Sequence, residues 1–280
     1  MTATLAIAAL TMREAVRRRL LLAFIAITTV IVGLSAWGFD RLSHTHSLTS
    51  GETNIAVPQA LILFMFMFSF VIALSASAIA SPSISSEIES GVLITIVTRP
   101  IRRTEVLIGK WLGLAALLAL YAGAVCALEF GVVDWASGFV PPNPVLVAVY
   151  LFAEGALLLT LALLLSTRVP VIAAGVVGVA VFGAGWLAGV VGTLGSALNV
   201  AALRTVGQIG RLVVPTDGLW HAAIYYLQPP SLIAQHLAEG GREDPFFAQG
   251  APSPAYLLWV ACWFVIVLFA AVASFDRREL

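Results

Sequence analysis

The sequence predicts an all-α polytopic membrane protein, and three observations on the 280-residue chain lead to this fold class. Six apolar runs are each long enough to cross a bilayer, because a hydrocarbon core of about 30 Å needs roughly 20 helical residues. Hydrophobic residues make up 60% of the chain and charged residues 11%, a composition outside the soluble range. Backbone polar groups in lipid must be paired within the protein, so these runs are expected to be helices.

The six predicted spans follow one another without an internal repeat or a low-complexity tract. In chain order they are Leu20–Gly38, Val57–Ala80, Trp111–Val133, Val145–Leu165, Val171–Leu194 and Ala255–Phe275. We therefore expect one transmembrane domain over residues 1–280.

The first 19 residues predict an amphipathic helix on the membrane surface. Apolar residues recur there at helical spacing, namely Leu5, Ala8, Ala9, Met12 and Val16, while Arg13 and Arg17 fall elsewhere. The basic group at residues 17–19 follows this apolar stretch instead of preceding it, which argues against a cleavable signal peptide. A frayed basic tail is the alternative.

The basic residues collect on alternate connections between the predicted spans. Eleven lie on one side: Arg13, Arg17, Arg18, Arg19, Arg99, Arg102, Arg103, Lys110, Arg168, Arg277 and Arg278. The other four are Arg41, Arg204, Arg211 and Arg242. The positive-inside rule then predicts a multi-pass protein with both termini in the cytoplasm. The net charge is zero, so the composition gives no reason to expect a nucleic-acid partner.

The connection between the second and third spans, residues 81–105, predicts a short cytoplasmic helix. Ser83 or Ser86 can cap this helix, with Glu87 and Glu89 near its positive end. Pro100 is expected to stop it, because the residue before a proline is biased away from helical geometry. Its apolar side comprises Val92, Leu93, Ile96 and Val97. Such a surface suits docking to another protein, and a helix lying on the lipid headgroups is the alternative.

Glycine marks one face of the fifth span. Gly178, Gly185 and Gly192 recur every seven residues, and Gly185 forms a GxxxG pair with Gly189. Small residues let two helices approach closely in lipid. The partner is another span of the same chain or a second subunit, and we favour the intramolecular partner.

Two acidic residues lie within the predicted spans. Glu154 is near the middle of the fourth span and Glu129 is near the outer end of the third. An ionisable side chain in a bilayer is costly, so each is expected to face the protein interior or a water-filled path. Both are candidates for a pathway or packing role. A protonated side chain bonded to Ser, Thr or backbone of a neighbouring helix is the alternative for Glu154.

The longest non-spanning stretch, residues 195–254, is expected outside the cell. Residues 203–213 have apolar side chains at helical spacing, and residues 218–227 are apolar and aromatic but too short to span. Interfacial or re-entrant helices fit this pattern, with Trp220, Tyr225 and Tyr226 at headgroup level.

The sequence contains no recognisable catalytic, cofactor or metal motif. Lys110 is the only lysine and Trp111 follows it, so the chain lacks the GxxxxGK[ST] loop that cradles ATP phosphates. Neither HExxH nor GxSxG occurs, and no Cys/His set has zinc spacing. The pair His44 and His46 is best interpreted as part of a solvated loop.

The order of several motifs resembles that of the ABC-2 type permeases, the membrane subunits of ABC exporters. These motifs are Glu89, Gly91, Arg99-Pro100, Arg102-Arg103, Gly109-Lys110 and the terminal Phe275-Asp276-Arg277-Arg278-Glu279-Leu280. The family ends in Phe-x-Arg-Arg/Lys-Asp-Leu, so Glu279 replaces its aspartate. The resemblance covers the whole chain and is greatest to permeases linked to multicopper-enzyme maturation, including nitrous oxide reductase assembly.

The resemblance implies a single permease domain in the cell membrane, with no enzymatic activity of its own. Residues 1–19 would be its amphipathic helix, 81–105 its coupling segment and 195–254 its extracytoplasmic segment. Two copies of a separate ATPase, which binds ATP and Mg²⁺, would dock on the coupling helix Ser83–Val97. A second permease subunit, identical or different, would complete the transporter, and Ala201–Leu237 would form an external gate. The implied docking residues are Glu87, Glu89, Gly91, Arg99, Pro100, Arg102 and Arg103.

Two other functions remain open from the residues alone. One is an ion- or proton-coupled carrier in which Glu154 titrates, although such carriers usually show more intramembrane ionisable groups. The other is a membrane scaffold that recruits a partner and transports nothing. A neighbouring gene for an ATPase with GxxxxGK[ST] would favour the exporter.

Overall fold

The computed structural model of the chain describes residues 3–17, 19–44, 50–89, 102–238 and 244–278. Within these ranges the regular elements are helices, and six of them are long and apolar enough to cross a membrane. The predicted all-α fold class and the six spans are confirmed.

The helices follow one another closely along the chain. Their bounds are α1 Ala3–Val16, α2 Arg19–Ser43, α3 Ser50–Ala80, α4 Pro82–Glu89, α5 Arg103–Ser137, α6 Pro144–Ser166, α7 Val171–Ala197, α8 Ala201–Val213, α9 Thr216–Leu227, α10 Pro230–Ala238 and α11 Pro254–Asp276. The candidate spans are α2, the stretch Ile55–Glu87 across α3 and most of α4, α5, α6, α7 and α11.

Helix α6 forms the centre of the bundle. It packs against α3, α5, α9 and α11. In its most apolar stretch 56% of the residues are buried, compared with 11% in α11. Its buried face mixes large and small side chains, such as Leu158, Leu159 and Ala162, which lets neighbouring helices interlock. The last span therefore lies at the periphery, with most of its surface exposed.

The bundle has two distinct ends. The basic end holds α1, α4, the turn between α6 and α7, and the end of α11. The hairpin end holds α8, α9 and α10, and there the backbone N–H of Asn143, just before α6, donates to the Tyr226 carbonyl at 3.4 Å. The predicted alternation of basic and non-basic connections corresponds to these two ends.

The start of the predicted cytoplasmic helix differs from expectation. Helix α4 begins at Pro82 directly after the turn that ends α3, since proline is well accommodated in the first turn of a helix. Ser83 and Ser86 therefore lie inside α4, and their hydroxyls donate backwards to carbonyls, that of Ser83 to Ala80 at 2.6 Å and that of Ser86 to Pro82. The prediction that one of them caps the helix is wrong. Residues 90–101 lie outside the described residues.

The predicted N-terminal helix is confirmed as α1, but its packing face was not foreseen. It crosses the start of α5, where Gly109 and Gly113 leave room for its backbone. A Cβ at Gly109 would lie 2.8 Å from the carbonyl oxygen of Thr4, and one at Gly113 would collide with the carbonyl of Ala8. Side chains at these two positions would push α1 away from the bundle.

Candidate functional site

A buried lysine joins α5 to α4 at the basic end. The ammonium of Lys110 lies 2.5 Å from the Ser83 carbonyl oxygen and 2.5 Å from Oε1 of Glu87. Only 5% of Lys110 is exposed, so these partners offset the cost of removing its charge from water. Thr11 and Glu14 of α1 line a small cavity beside it. Three elements of the basic end therefore meet at one charged group.

Arg103, the first residue of α5, reaches the end of the last span. Its Nη1 donates to the carbonyls of Phe275 and Asp276 at 3.3 Å each, and to that of Arg278 at 2.7 Å. The last carbonyls of a helix lack partners within that helix and carry the negative end of its dipole. A guanidinium at this position satisfies them and stabilises the helix end.

The turn between α6 and α7 binds the same end of α11. Arg168 donates from Nε to Oγ of Ser274 at 2.8 Å and from Nη2 to its carbonyl at 3.1 Å. The hydroxyls of Thr167 and Ser274 are hydrogen-bonded at 2.7 Å, and Arg278 donates to the Thr167 carbonyl. We refer to Arg103, Thr167, Arg168, Ser274 and Arg278 as the C-terminal clasp.

Phe275 fills the space beneath the clasp. Only 1% of this residue is exposed. It belongs to a small apolar cluster together with Ile84, Val106, Leu107, Leu163 and Ala271. The cluster joins α4, α5, α6 and α11, so the terminal motif is an integral part of the basic end.

The predicted docking residues separate into different environments. Glu87 and Arg103 make the internal contacts described above. Arg102 is exposed, and its backbone N–H donates to Oε2 of Glu105 at 3.1 Å, which fixes the start of α5. Glu89 is the last residue of α4. Gly91, Arg99 and Pro100 lie outside the described residues.

Both predicted intramembrane acids form hydrogen bonds between helices. Oγ of Ser69 on α3 donates to Oε2 of Glu154 at 2.8 Å, and Oγ of Ser35 on α2 donates to Oε1 of Glu129 at 2.5 Å. Glu154 is 3% exposed and Glu129 is fully buried. Each carboxyl group therefore links two helices of the bundle through a serine hydroxyl.

Helices α8 and α9 form a re-entrant hairpin, residues 201–227. Helix α8 runs antiparallel to α7, because a Cβ at Gly192 would lie 2.9 Å from Gly207, and one at Gly185 would lie 2.9 Å from Oγ1 of Thr216. Ten residues of α7, from Gly195 to Gly185, correspond to about 15 Å at 1.5 Å per residue. The chain thus runs back about 15 Å alongside α7 before α9 returns, and of the two predicted alternatives, interfacial and re-entrant, this path corresponds to the re-entrant one.

The glycine face of α7 lies against elements of the same chain. Gly178 faces Ser77 of α3, where an added Cβ would collide with the hydroxyl. Gly189 faces the carboxylate of Asp217 at the start of α9. Together with Gly185 and Gly192, these positions show that the small residues accommodate the hairpin and the second span.

Three aromatic side chains of α11 bind the tip of the hairpin. The indole N–H of Trp259 donates to the Leu212 carbonyl at 3.0 Å, and that of Trp263 to the Val213 carbonyl at 2.9 Å. The Tyr256 hydroxyl donates to the Pro215 carbonyl at 2.7 Å. Non-helical backbone at membrane depth needs protein partners of this kind, so α11 stabilises the break between α8 and α9.

Opposite charges face each other across the same break. Nε of Arg211, in the last turn of α8, lies 2.6 Å from Oδ2 of Asp217, in the first turn of α9. Each charge also complements the dipole of its own helix. His221 lies 2.8 Å from the Asp217 carbonyl oxygen through Nδ1. A cavity of about 320 Å³ adjoins this cluster, with Arg211, His221 and Tyr256 in its wall.

An aromatic cluster fills the bundle beside the hairpin. The ring of Phe66 on α3 lies 5.4 Å from Trp186 of α7, 5.5 Å from Trp220 of α9 and 5.2 Å from Phe246, measured between centroids. Trp220 is 1% exposed, so its predicted place at headgroup level is wrong. The hairpin buries it because α9 packs against α6 and α3 inside the bundle.

Sequence reasoning missed the ion pair of Arg211 with Asp217 and the three α11 donors. The one available signal was the glycine pair Gly207 and Gly210 in α8, which matches the small residues of α7. In the part of the chain that the structure describes, no group of three or more His, Cys, Asp or Glu side chains is arranged to hold a metal ion.

Comparison with known proteins identifies one family. The sequence model of the family described as "ABC-2 family transporter protein" matches residues 5–280, nearly the whole chain. No curated protein matches the chain significantly.

Proposed function

The chain belongs to the ABC-2 family of transporter proteins, and on that premise we propose that it is the permease subunit of an ABC exporter. In this proposal a separate ATPase subunit, present in two copies, binds ATP and Mg²⁺ and supplies the energy. Two permease subunits, identical or different, move against each other when the ATPases close. Substrate is translocated or extracted from the bilayer between them. The chain itself is a membrane component and needs no catalytic residue.

The observation that supports this proposal, beside the family match, is that the docking segment, which is the coupling segment at residues 81–105, is anchored near both of its ends. Near its start, Glu87 and the Ser83 carbonyl hold Lys110 of α5. Near its end, Arg103 holds the end of α11. A force applied between these anchors therefore reaches α5 and α11 directly. We assign Glu87 and Arg103 to the anchors, and the ATPase contact to Arg102 with Glu89, Gly91, Arg99 and Pro100.

The proposed orientation places the basic end in the cytoplasm and the protein in the cell membrane. Helix α1 and the end of α11 lie at this end, where Arg13, Arg17 and Arg102 are exposed. Basic residues next to span ends favour the cytoplasmic side. The hairpin end then faces the exterior, and residues 195–254 form the extracytoplasmic segment of one permease domain, residues 1–280.

The re-entrant hairpin is proposed to act as the external gate. It occupies the outer half of the bundle, and the aromatic cluster around Phe66 seals the space between α3, α7 and α9. The ion pair of Arg211 with Asp217 and the α11 donors hold the tip in place. This arrangement corresponds to a gate that is closed towards the exterior.

We further propose membership of the subgroup linked to multicopper-enzyme maturation and nitrous oxide reductase assembly. The terminal Phe275-Asp276-Arg277-Arg278 motif supports it through sequence similarity, and the burial of Phe275 gives the motif a structural role.

The test begins with a search for an ATPase gene with GxxxxGK[ST] beside this gene and continues with co-expression of the two chains. We expect the two chains to co-purify in detergent and the complex to hydrolyse ATP. Reversing the exposed charge with Arg102→Glu should weaken ATPase binding by about tenfold, equivalent to about 1.4 kcal/mol. The matched control is Arg41→Glu, an exposed arginine at the hairpin end of α2, which should leave binding unchanged.

Two outcomes would favour the other functions. Flux in proteoliposomes that needs a proton gradient but no ATPase, and that Glu154→Gln abolishes, would support a carrier. ATPase binding without ATP hydrolysis and without movement of the hairpin would support a scaffold. Equal binding by the wild-type and Arg102→Glu proteins would contradict the proposed docking surface.

A further inference from the structure

The last span, α11, packs against α5 and α6 on one side, where Val260 is buried and Phe264 contacts the core, and polar contacts tie it to the protein at its two ends. On its outer side Leu258, Val265 and Phe269 are 67%, 68% and 72% exposed. The helix contains no internal proline or glycine over its 23 residues, which corresponds to a rod of about 35 Å. A helix of this kind transmits displacement along its axis because it has no built-in hinge.

At the hairpin end, α11 binds the backbone at the break between α8 and α9. The carbonyls of Leu212, Val213 and Pro215 at the hairpin tip accept from Trp259, Trp263 and Tyr256. These donors lie on the first two to three turns of α11. A shift of α11 by a few ångströms would break these bonds or carry the tip with it.

At the basic end, α11 is held by its own terminal carbonyls. Arg103 binds those of Phe275, Asp276 and Arg278, and Arg168 binds that of Ser274. Arg103 directly follows Arg102, the capping residue of α5 and a residue of the proposed docking surface. The docking surface is therefore adjacent in the chain to a contact with α11.

We infer that α11 is a connecting rod that couples the docking segment to the external gate. The inference rests on the proposed function and adds the route by which movement at the docking segment reaches the gate. Displacement of the start of α5 pulls the clasp through Arg103, α11 shifts as a unit, and Tyr256, Trp259 and Trp263 move the hairpin tip. Coupling between distant sites needs a rigid element that both sites bias, and α11 contacts both. Arg103 and the three aromatic residues are positioning residues in this scheme.

The experiment measures gate movement in the assembled transporter. Spin labels are placed at Thr205→Cys, on the exposed face of α8, and at Val140→Cys, between α5 and α6, after Cys126 and Cys262 are replaced by alanine. Distances between the labels are measured by pulsed electron resonance in the complex with its ATPase. The nucleotide-free state is compared with the state trapped by ATP and vanadate.

We expect the wild-type complex to show a distance change on trapping. Arg103→Gln, and the triple variant Tyr256→Phe, Trp259→Phe, Trp263→Phe, should each reduce that change to less than half while ATPase binding is retained. Ser274→Ala is a milder clasp variant that should also reduce the change, and it keeps the test valid if a stronger variant fails to fold. Trp37→Phe removes an indole from a residue that is 64% exposed and serves as the control.

The outcomes of this experiment distinguish a failure of the rod from a failure of the proposed exporter function. If the wild-type complex moves and the clasp and aromatic variants move equally far, the rod is refuted and the exporter assignment stands. If no ATPase binds and the wild-type distance does not change, the proposed function fails and the rod falls with it. Loss of ATPase binding in Arg103→Gln would show that this residue is part of the ATPase contact and would refute its assignment to the rod.

Discussion

Replacing Lys110 with methionine removes a charge that joins α4 to α5, and the resulting loss of stability can be worked from the structure. The ammonium gives up two contacts of 2.5 Å, to the Ser83 carbonyl and to Glu87. Breaking a fully buried ion pair costs about 3–5 kcal/mol. The Glu87 side chain is 20% exposed, so the pair is not fully buried and the lower value applies. We expect Lys110→Met to lower the free energy of unfolding by about 3 kcal/mol.

The partner variant makes this prediction specific. Replacing both charges, with Lys110→Met and Glu87→Met together, removes the stranded carboxylate and should restore stability to within about 1 kcal/mol of wild type. Reversible unfolding in mixed micelles with increasing dodecyl sulfate, followed by circular dichroism, measures all three proteins. A loss of unfolding free energy below about 1 kcal/mol in the single variant, or no recovery in the double variant, would refute the stabilising role of the Lys110–Glu87 ion pair.

Three further predictions concern packing, and the same unfolding measurement checks each. Gly113→Leu should cost about 2–3 kcal/mol and expose α1 to protease, because its side chain collides with the Ala8 carbonyl, whereas Gly123→Leu, with open space around its Cβ, should be neutral. Phe275→Ala should cost about 3–5 kcal/mol because it empties the cluster beneath the clasp, and Phe269→Ala, at a residue 72% exposed, should cost far less. Glu154→Gln should lower the free energy of unfolding by less than about 1 kcal/mol, since the amide oxygen still accepts from Ser69. Glu154→Leu should lower it by about 1–3 kcal/mol, because the Ser69 hydroxyl then has lost this acceptor. Equal losses in a variant and its control would contradict the corresponding contact.

The spans and the re-entrant geometry follow from local sequence. Apolar length alone defined the six crossings, since lipid leaves no alternative to a helix for such runs. The stretch around residues 203–213 was recognisable because its apolar residues have helical spacing and it is too short to span. Glycine spacing in α7 indicated which face packs, because residues seven positions apart lie on the same side of a helix.

The contacts that define the basic end could not be read from local sequence. Arg103 and its acceptor at Arg278 are 175 residues apart in the chain, so only the folded bundle brings them together. In a linear pattern Arg103 looks the same as the exposed Arg102. The N-cap prediction at Ser83 or Ser86 failed because Pro82 starts α4 earlier, and inside a helix a serine hydroxyl turns to a preceding carbonyl.

The tryptophans illustrate a related limit. Trp259 and Trp263 near a span end are typical of an interfacial belt, and the same residue type serves to bind the hairpin carbonyls. Trp220 is buried although its segment resembles an interfacial helix. Which role a tryptophan takes depends on the position of the broken backbone, and that position is a tertiary property.

The most direct test of the central claim is the accessibility of position 102. In a protein without Cys126 and Cys262, Arg102→Cys is exposed to a membrane-impermeant maleimide in intact cells and in inside-out vesicles. The account predicts labelling only in the inside-out vesicles, and protection there when the ATPase is bound. Labelling from outside intact cells, or labelling that the bound ATPase does not reduce, would contradict it.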